Sequence, residues 1–530
     1  MPTFLLSILK DLGLFRVELE GNKRQTFPDT EPYSKIYRVL LSVLSATAIL
    51  YFLWRKQAKF PYPPGPVPRW LIGNLFDIPT SKPWKTYREW SRMYKEDLVH
   101  FQVNSQHAVV INTKELSDRM LDKHAGLYSD RPYIAMVEMR VATLFILPSI
   151  YLTAISQRRL GWQPFNTAFL RYTDTWRKHR RLYQQGFRSR SSLEYLPIQA
   201  SKNAEFVSNL PKDPANFLTH IGTLSAATIL ATVYGYDTSP TDDYLAKLVE
   251  GCNKFSETEF QSPATAIVNM FPALRHLPLW LPIFRFQRAA IKSRRMIQQL
   301  LDVPFEYVRS DMRSGAGKPS LMAKFLEQND ANNGGDEEQE YVIKAVCATS
   351  YGAISMHPDV QIKAQNELDI IAGRGRVPDY EERPNLPYVE AVLRETFRWM
   401  PPAPLGVPRA AFDGDVVDGY YIPKGKAMSR DEAVYPNPES FDPERFLNKD
   451  GRCNDDDSMF IFGTGRRICP GRHFTSATIW MAMVSVLVEF DIGKPKTVDG
   501  KEIRDLEDAN YTEGLISHPS PFLCSITPRS

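Results

Sequence analysis

Apolar and polar positions alternate irregularly along most of the chain, and a few sustained patterns stand out. Residues 36–54, IYRVLLSVLSATAILYFLW, carry no charge from Val39 to Trp54. That run is at the short end of the ~17–25 residues a membrane-spanning helix needs. Arg38 can snorkel to the interface, and Tyr51 and Trp54 sit where an aromatic belt belongs. No small-x-small cleavage site follows, so the run does not read as a signal peptide. A buried core helix is the alternative. Arg55, Lys56 and Lys59 come next and favour a cytoplasmic body. Pro61-Tyr-Pro-Pro-Gly-Pro-Val-Pro68 then makes a stiff spacer. Further on, Pro358 in a first turn and Gly373 after the last predict a helix over 358–371. Residues 388–399 form another, stopped by Pro401-Pro402. Residues 471–490 are apolar nearly all round and predict a buried helix. Strand patterns are fewer, at 99–111 and 416–422. The polar run 328–340, QNDANNGGDEEQE, reads as one exposed loop. No internal repeat is visible. The predicted layout is an unplaced segment 1–32, an anchor helix 33–54, a basic stop and proline hinge 55–68, and one domain 69–530. That domain is mainly α with a small β component.

Composition narrows the class. The chain has 530 residues, 43% hydrophobic and 24% charged, ordinary globular usage that excludes a mostly disordered chain. It also lacks the several long apolar runs of a polytopic membrane protein. Lys+Arg 65 against Asp+Glu 61 leaves +4, too even for a dedicated nucleic-acid binder. The five cysteines, Cys252, Cys347, Cys453, Cys469 and Cys524, are scattered with no CxxC pair. That excludes a disulfide framework and a zinc ribbon, and suits a reducing compartment.

The sharpest chemistry lies in Phe462-Gly-Thr-Gly-Arg-Arg-Ile-Cys469-Pro-Gly471. Gly463 and Gly465 allow a tight turn and a close backbone approach. Cys469 stands just before the long apolar helix, where backbone amides and the dipole favour thiolate. Arg467 adds a cation beside it. A lone cysteine is usually a small buried hydrophobe. A thiolate held by amides beside an arginine suits ligation of haem iron, with Arg467 on a propionate.

The whole string resembles the haem-binding loop of the cytochrome P450 family, Phe-x-x-Gly-x-Arg-x-Cys-x-Gly, through Phe462, Gly465, Arg467, Cys469 and Gly471. Five matches arise by chance on the order of once in ten thousand sequences. Glu395-Thr-Phe-Arg398 matches the family's Glu-x-x-Arg helix, and residues three apart on a helix face one way. Phe441-Asp-Pro-Glu-Arg-Phe446 matches its Pro-Glu-Arg-Phe segment, so Arg445 would join Glu395 and Arg398 in a structural network. Taken alone, either motif would be a surface ion pair worth ~0–1 kcal/mol. Trp176-Arg-Lys-His-Arg180 resembles the helix whose two ends bind haem propionates; taken alone it would be a basic surface helix. Arg409 stands where the family often has another propionate partner. The resemblance runs from about residue 33 to the C-terminus and is closest to fungal members acting in secondary metabolism.

The resemblance implies a cytochrome P450 fold and a haem-thiolate monooxygenase with haem b, Cys469 being the axial iron ligand. It implies electrons from a separate NADPH-dependent cytochrome P450 reductase, since no placed GxGxxG fingerprint or flavin module is present. It implies a lipophilic small-molecule substrate and a single-pass endoplasmic reticulum membrane protein with a cytosolic catalytic domain. In that setting the Asn510-Tyr-Thr512 sequon stays bare. A haem-thiolate isomerase or dehydratase would share every motif. Three departures stand out. Residues 141–159 read as an insertion of unspliced intron, with Val141–Ile155 apolar but broken by Pro148. After Gly352-Ala353 the family's acid–threonine pair is missing, so its central helix is shortened by roughly 16–20 residues, ~24–30 Å at helical rise. A smaller gap follows Lys426. Either the chain as written is defective in oxygen activation, or mis-splicing hides a normal product.

Overall fold

The apolar run at 471–490 becomes a buried helix in the computed structural model. It describes residues 60–70, 72–79, 82–103, 106–132, 166–239, 243–260, 285–315, 317–347, 359–399, 401–423, 435, 437–438, 440–493 and 522–529, with Ser42 and Ser45. Two compact units divide the chain, Met1–Lys59 and Phe60–Ser530. In the first unit only Ser42 and Ser45 are described; both are helical, and the Ser45 hydroxyl donates to the Ser42 carbonyl at 3.1 Å. The rest of the expected anchor, the 141–159 insertion and the positions following Cys347 and Lys426 lie outside the described residues.

The second unit begins with the proline-rich segment, then α1 (Pro83–Tyr94) and the antiparallel pair β1 (Leu98–Val103) and β2 (Gln106–Ile111). The strand pattern at 99–111 is a hairpin in the structure, with Val103 opposite Gln106. Helices follow: α2 (Asp174–Phe187), α3 (Leu196–Asn209), α4 (Phe217–Tyr234), α5 (Tyr244–Phe260), α6 (Arg285–Ser314), α7 (Leu321–Asn333), α8 (Glu337–Cys347), α9 (Asp359–Ile371) and α10 (Pro387–Trp399). Residues 416–422 are likewise a hairpin, β3 (Asp415–Val417) with β4 (Tyr420–Ile422). Asp418 and Gly419 turn it with φ of +52° and +82°, the paired left-handed conformation that Asp-Gly accepts in tight hairpins. The long apolar helix is α11 (Arg472–Glu489), and β5 (Phe490–Gly493) pairs with β6 (Ser525–Pro528).

The expected loop over 328–340 is corrected. Helix α7 continues to Asn333 and α8 starts at Glu337. The run is polar because one helix face meets solvent and makes ion pairs: Arg309 holds Asp330 at 2.7 Å and Glu340 at 2.9 Å. Two of the apolar clusters among the described residues bear most directly on the site. One joins α2, α4, α7 and α8 through Tyr183, Phe187, Leu230, Val233, Phe325, Leu326 and Val346. The other joins α9, α10 and α11 through Leu368, Leu393, Phe397, Trp480 and Val484. Among the described residues, Pro214–Tyr234 is the helix long and apolar enough to cross a membrane. Its Leu230, Val233 and Tyr234 belong to the first core cluster.

Candidate active site

The loop that carries Cys469 is a hairpin closed on itself. A turn at Met459–Phe462 leads in, and the Cys469 amide donates to the Phe462 carbonyl at 2.7 Å. The ring of Phe462 meets Phe397 of α10 edge-on at 5.5 Å, tying the loop to the second core cluster. Gly465 has φ of +56°, and a Cβ there would lie 2.3 Å from the Leu121 carbonyl oxygen. The loop can therefore seat against the turn at Asp118–Lys123 only with glycine at that position. Gly471 precedes the first turn of α11, and its carbonyl accepts the Thr475 amide at 2.8 Å.

The Cys469 thiol departs from the sequence-level expectation. Burial pushes it up; the Gly471 amide and the charges of Arg180 and Arg472 pull the other way and do not win. Desolvation of a small anion outweighs a partial dipole and two cations when no counter-ion bonds the sulfur directly. The cations that act on the sulfur are Arg180 and Arg472, while Arg467 points elsewhere. Arg472 also donates to the Cys469 carbonyl at 3.4 Å.

Besides Arg466 and Arg472, four arginines gather around this loop. Arg180 of α2 donates to the Ile468 carbonyl at 2.5 Å. Arg409 donates to the carbonyls of Leu121 at 3.1 Å and Thr464 at 2.5 Å. Arg467 donates to the carbonyls of Ser129 and Leu170, each at 2.8 Å. Its guanidinium lies 4.3 Å from the centre of the Trp176 ring, so Trp176 carries Arg467 by stacking. The fourth, Arg131, is buried and was not singled out by the sequence. Burial pulls Arg467 down to about 9, with Arg409 and Arg180 adding to the effect and Asp130 opposing it. Burial pulls Arg409 to about 10, Asp122 opposing. Arg131 is pushed well down by burial, and Arg467 and Arg409 push the same way. Such a cluster is short of anions. One of its donors, Nη1 of Arg467, is buried without a partner.

Behind the loop, the Glu395 carboxylate is fully buried. Arg398 donates to it from Nε at 2.6 Å and from Nη2 at 2.8 Å. Arg445 approaches at 3.3 Å and the Asp442 amide at 2.7 Å. Arg398 continues to the carbonyls of Pro438 and Ser440 at 2.8 and 3.1 Å. The predicted residues Glu395, Arg398 and Arg445 thus meet in one network, which ties α10 to the Pro443–Phe446 turn.

The donor set fits a haem. One thiol stands in a tight loop, and cationic donors with an unpartnered N–H stand beside it, suited to two propionates. The comparisons with known proteins agree. A model of the family described as Cytochrome P450 matches residues 63–525. Cytochrome P450 monooxygenase 98 of Postia placenta is 32% identical over 520 residues, covering 93% of this chain and 95% of that protein. Cytochrome P450 monooxygenase COX1 of Coprinopsis cinerea is 34% identical over 528 residues, covering 93% and 97%. Tryptamine 4-monooxygenase of Psilocybe cyanescens is 32% identical over 520 residues, covering 93% and 98%.

Proposed function

The chain belongs to the cytochrome P450 family, and from that premise we propose that it oxidises a lipophilic small molecule of a secondary-metabolite pathway. As a family member it is a monooxygenase with haem b as cofactor, a reductase as redox partner and a small molecule as substrate. Haem held by a cysteine thiolate supplies activation of dioxygen when bound. Cys469 is our candidate for the axial ligand. Arg180, Arg409 and Arg467 are the candidates to hold the propionates. Trp176 braces Arg467, Phe462 and Gly465 shape the loop, and Gly471 opens the helix behind the sulfur. Glu395, Arg398 and Arg445 keep that loop in place. The observation that carries this reading is the buried, unpartnered Nη1 of Arg467 within a ring of cations around a single loop thiol. The pathway assignment is supported by fungal relatives, one of them named as a tryptamine 4-monooxygenase. We place the protein at the endoplasmic reticulum, anchored once by residues 33–54, with an NADPH-dependent reductase in the same membrane.

A reduced carbon-monoxide difference spectrum tests the site. The wild-type chain should show the thiolate-type Soret band, and Cys469→Ala should lose it. Changing Cys252, Cys347, Cys453 or Cys524 to Ala should not. A Cys469→Ala variant that keeps the band sinks the assignment. NADPH consumption with reductase and substrate separates a monooxygenase from a haem-thiolate isomerase or dehydratase.

A second reading, a chain defective in oxygen activation, is favoured by one feature of the sequence. No Asp-Thr or Glu-Thr pair follows Gly352 before Pro358. Proton delivery by such groups contributes ~10²–10⁴-fold. If the chain with the central segment restored turns over no faster than the chain as written, this second reading is wrong.

A further inference from the structure

The arginines around Cys469 need a support of their own, because buried guanidiniums repel one another and each has a long, flexible side chain. Their anchoring contacts converge on three consecutive residues, Ser129, Asp130 and Arg131. The Ser129 carbonyl accepts from Arg467 at 2.8 Å. Asp130 exchanges two backbone hydrogen bonds with Ala410, the residue after Arg409, at 3.2 and 2.9 Å. Arg131 donates from Nη1 to the carbonyls of Val407 and Pro408, the two residues before Arg409, each at 2.8 Å. Its Nε donates to the Ala168 carbonyl at 2.7 Å, in the same stretch whose Leu170 carbonyl takes the other donor of Arg467. The Asp130 carboxylate, only 1% exposed, takes Arg171 from Nε at 3.0 Å and the Tyr172 amide at 2.9 Å. The Tyr172 ring packs at a tilt against Trp176, centres 4.9 Å apart, so this grip extends to the start of α2.

We infer that Ser129–Asp130–Arg131 is the positioning strap of the propionate cradle, and that Asp130 is the carboxylate that holds its guanidiniums in register. This rests on the haem assignment above and adds residues to it. The strap joins three separate parts of the site: the Cys469 loop through Arg467, the Arg409 segment on both sides of that residue, and the entrance of α2. Asp130 also supplies charge. It is the carboxylate whose field favours the charged forms of both Arg131 and Arg467, against the burial that disfavours them. None of these residues need touch the cofactor; they act by aiming those that do.

The test uses the full-length holoprotein, with haem transfer to apomyoglobin and the haem reduction potential as readouts. Asp130→Asn should lose haem about 10–100-fold faster, the usual effect of removing a group that orients a cofactor's holders. Its potential should rise, because a negative charge near the cofactor has gone. Asp130→Glu keeps the charge and should return the potential towards wild type while still disturbing the geometry. A merely structural role would lower thermal stability and leave the potential alone. Wild-type haem loss and potential in Asp130→Asn would overturn the inference. Where that variant fails to accumulate, Arg131→Lys keeps the charge and removes the fork on Val407 and Pro408. It should also lose haem faster, and an unchanged rate overturns the inference equally. A wild-type chain without a haem-thiolate spectrum would instead overturn the proposed function, and the strap with it.

Discussion

At Gly465 a single added methyl group meets two obstacles. The residue sits at φ +56°, and the new Cβ would be 2.3 Å from a backbone oxygen that cannot swing away. The left-handed conformation costs a residue with a Cβ roughly 1–2 kcal/mol, and the collision adds to it. Gly465→Ala should therefore lower the thermal midpoint and the haem content together. Gly471→Ala should be milder, since its Cβ would meet Thr475 and the Cys469 sulfur at 3.9 and 4.0 Å, ordinary contact. Equal losses from the two would refute this ranking. Two histidines set an acid limit. Burial lowers His100 to about 4, with His107 adding to the effect, and burial lowers His179 to about 4. An unfolded imidazole takes its proton near 6.5. Between those values the unfolded chain binds more protons, so stability is whole above about pH 6.5 and falls as pH drops towards 4. Each site contributes on the order of 3 kcal/mol across that window. Urea unfolding from pH 7 to pH 4 should show the loss, and His179→Gln should flatten part of the slope.

Elements are held by groups that single residues do not reveal. Glu395 links α10 to the Pro443–Phe446 turn through two arginines, and all of it is buried or nearly so. Removing one partner of a buried charge network costs about 3–5 kcal/mol. Glu395→Gln should accordingly unfold at much lower denaturant concentration, and unchanged urea unfolding would show the network to be ornamental. This network was legible through the family resemblance of its two motifs; the three-residue spacing of Glu395 and Arg398 alone would have left a surface ion pair. The strap at Ser129–Arg131 was not. Its partners are backbone carbonyls, which every residue has, and for Arg131 they lie at Ala168, Val407 and Pro408. The strand patterns at 99–111 and 416–422 did not resolve into hairpins for a related reason. Asp418-Gly419 occupies only two positions, and a two-residue turn barely interrupts an apolar stretch. At Cys469 the amide acts in the expected direction, but the depth of burial that outweighs it has no local signature in the sequence.

At the scale of the whole molecule, the proline-rich segment belongs to the body that follows it. The compact unit starts at Phe60. Pro64 accepts the His100 amide at 3.0 Å, Pro61 accepts the Tyr421 amide at 2.7 Å, and Pro66 accepts the Asn74 side chain at 3.0 Å. Tyr62 stacks on His100 at 4.7 Å and on His107 at 5.0 Å. Each hydrogen bond is worth about 1 kcal/mol, and each aromatic pair about 0.5–1.5 kcal/mol. A chain beginning at residue 60 should match the full-length protein in haem binding and thermal midpoint, while one beginning at residue 69 should unfold several degrees lower. Equal midpoints would show the docked prolines to be passive. The same stitching matters under load. Tension arriving at Phe60 passes first into β4 through Pro61, then into β1 through Pro64, before it reaches the helices. The prolines thus act as a strain relief, like the clamp on a cable where it enters a housing. Pulled from that end, the molecule should give way in a small early step as the clamp peels, leaving the arginine cradle and its sulfur intact.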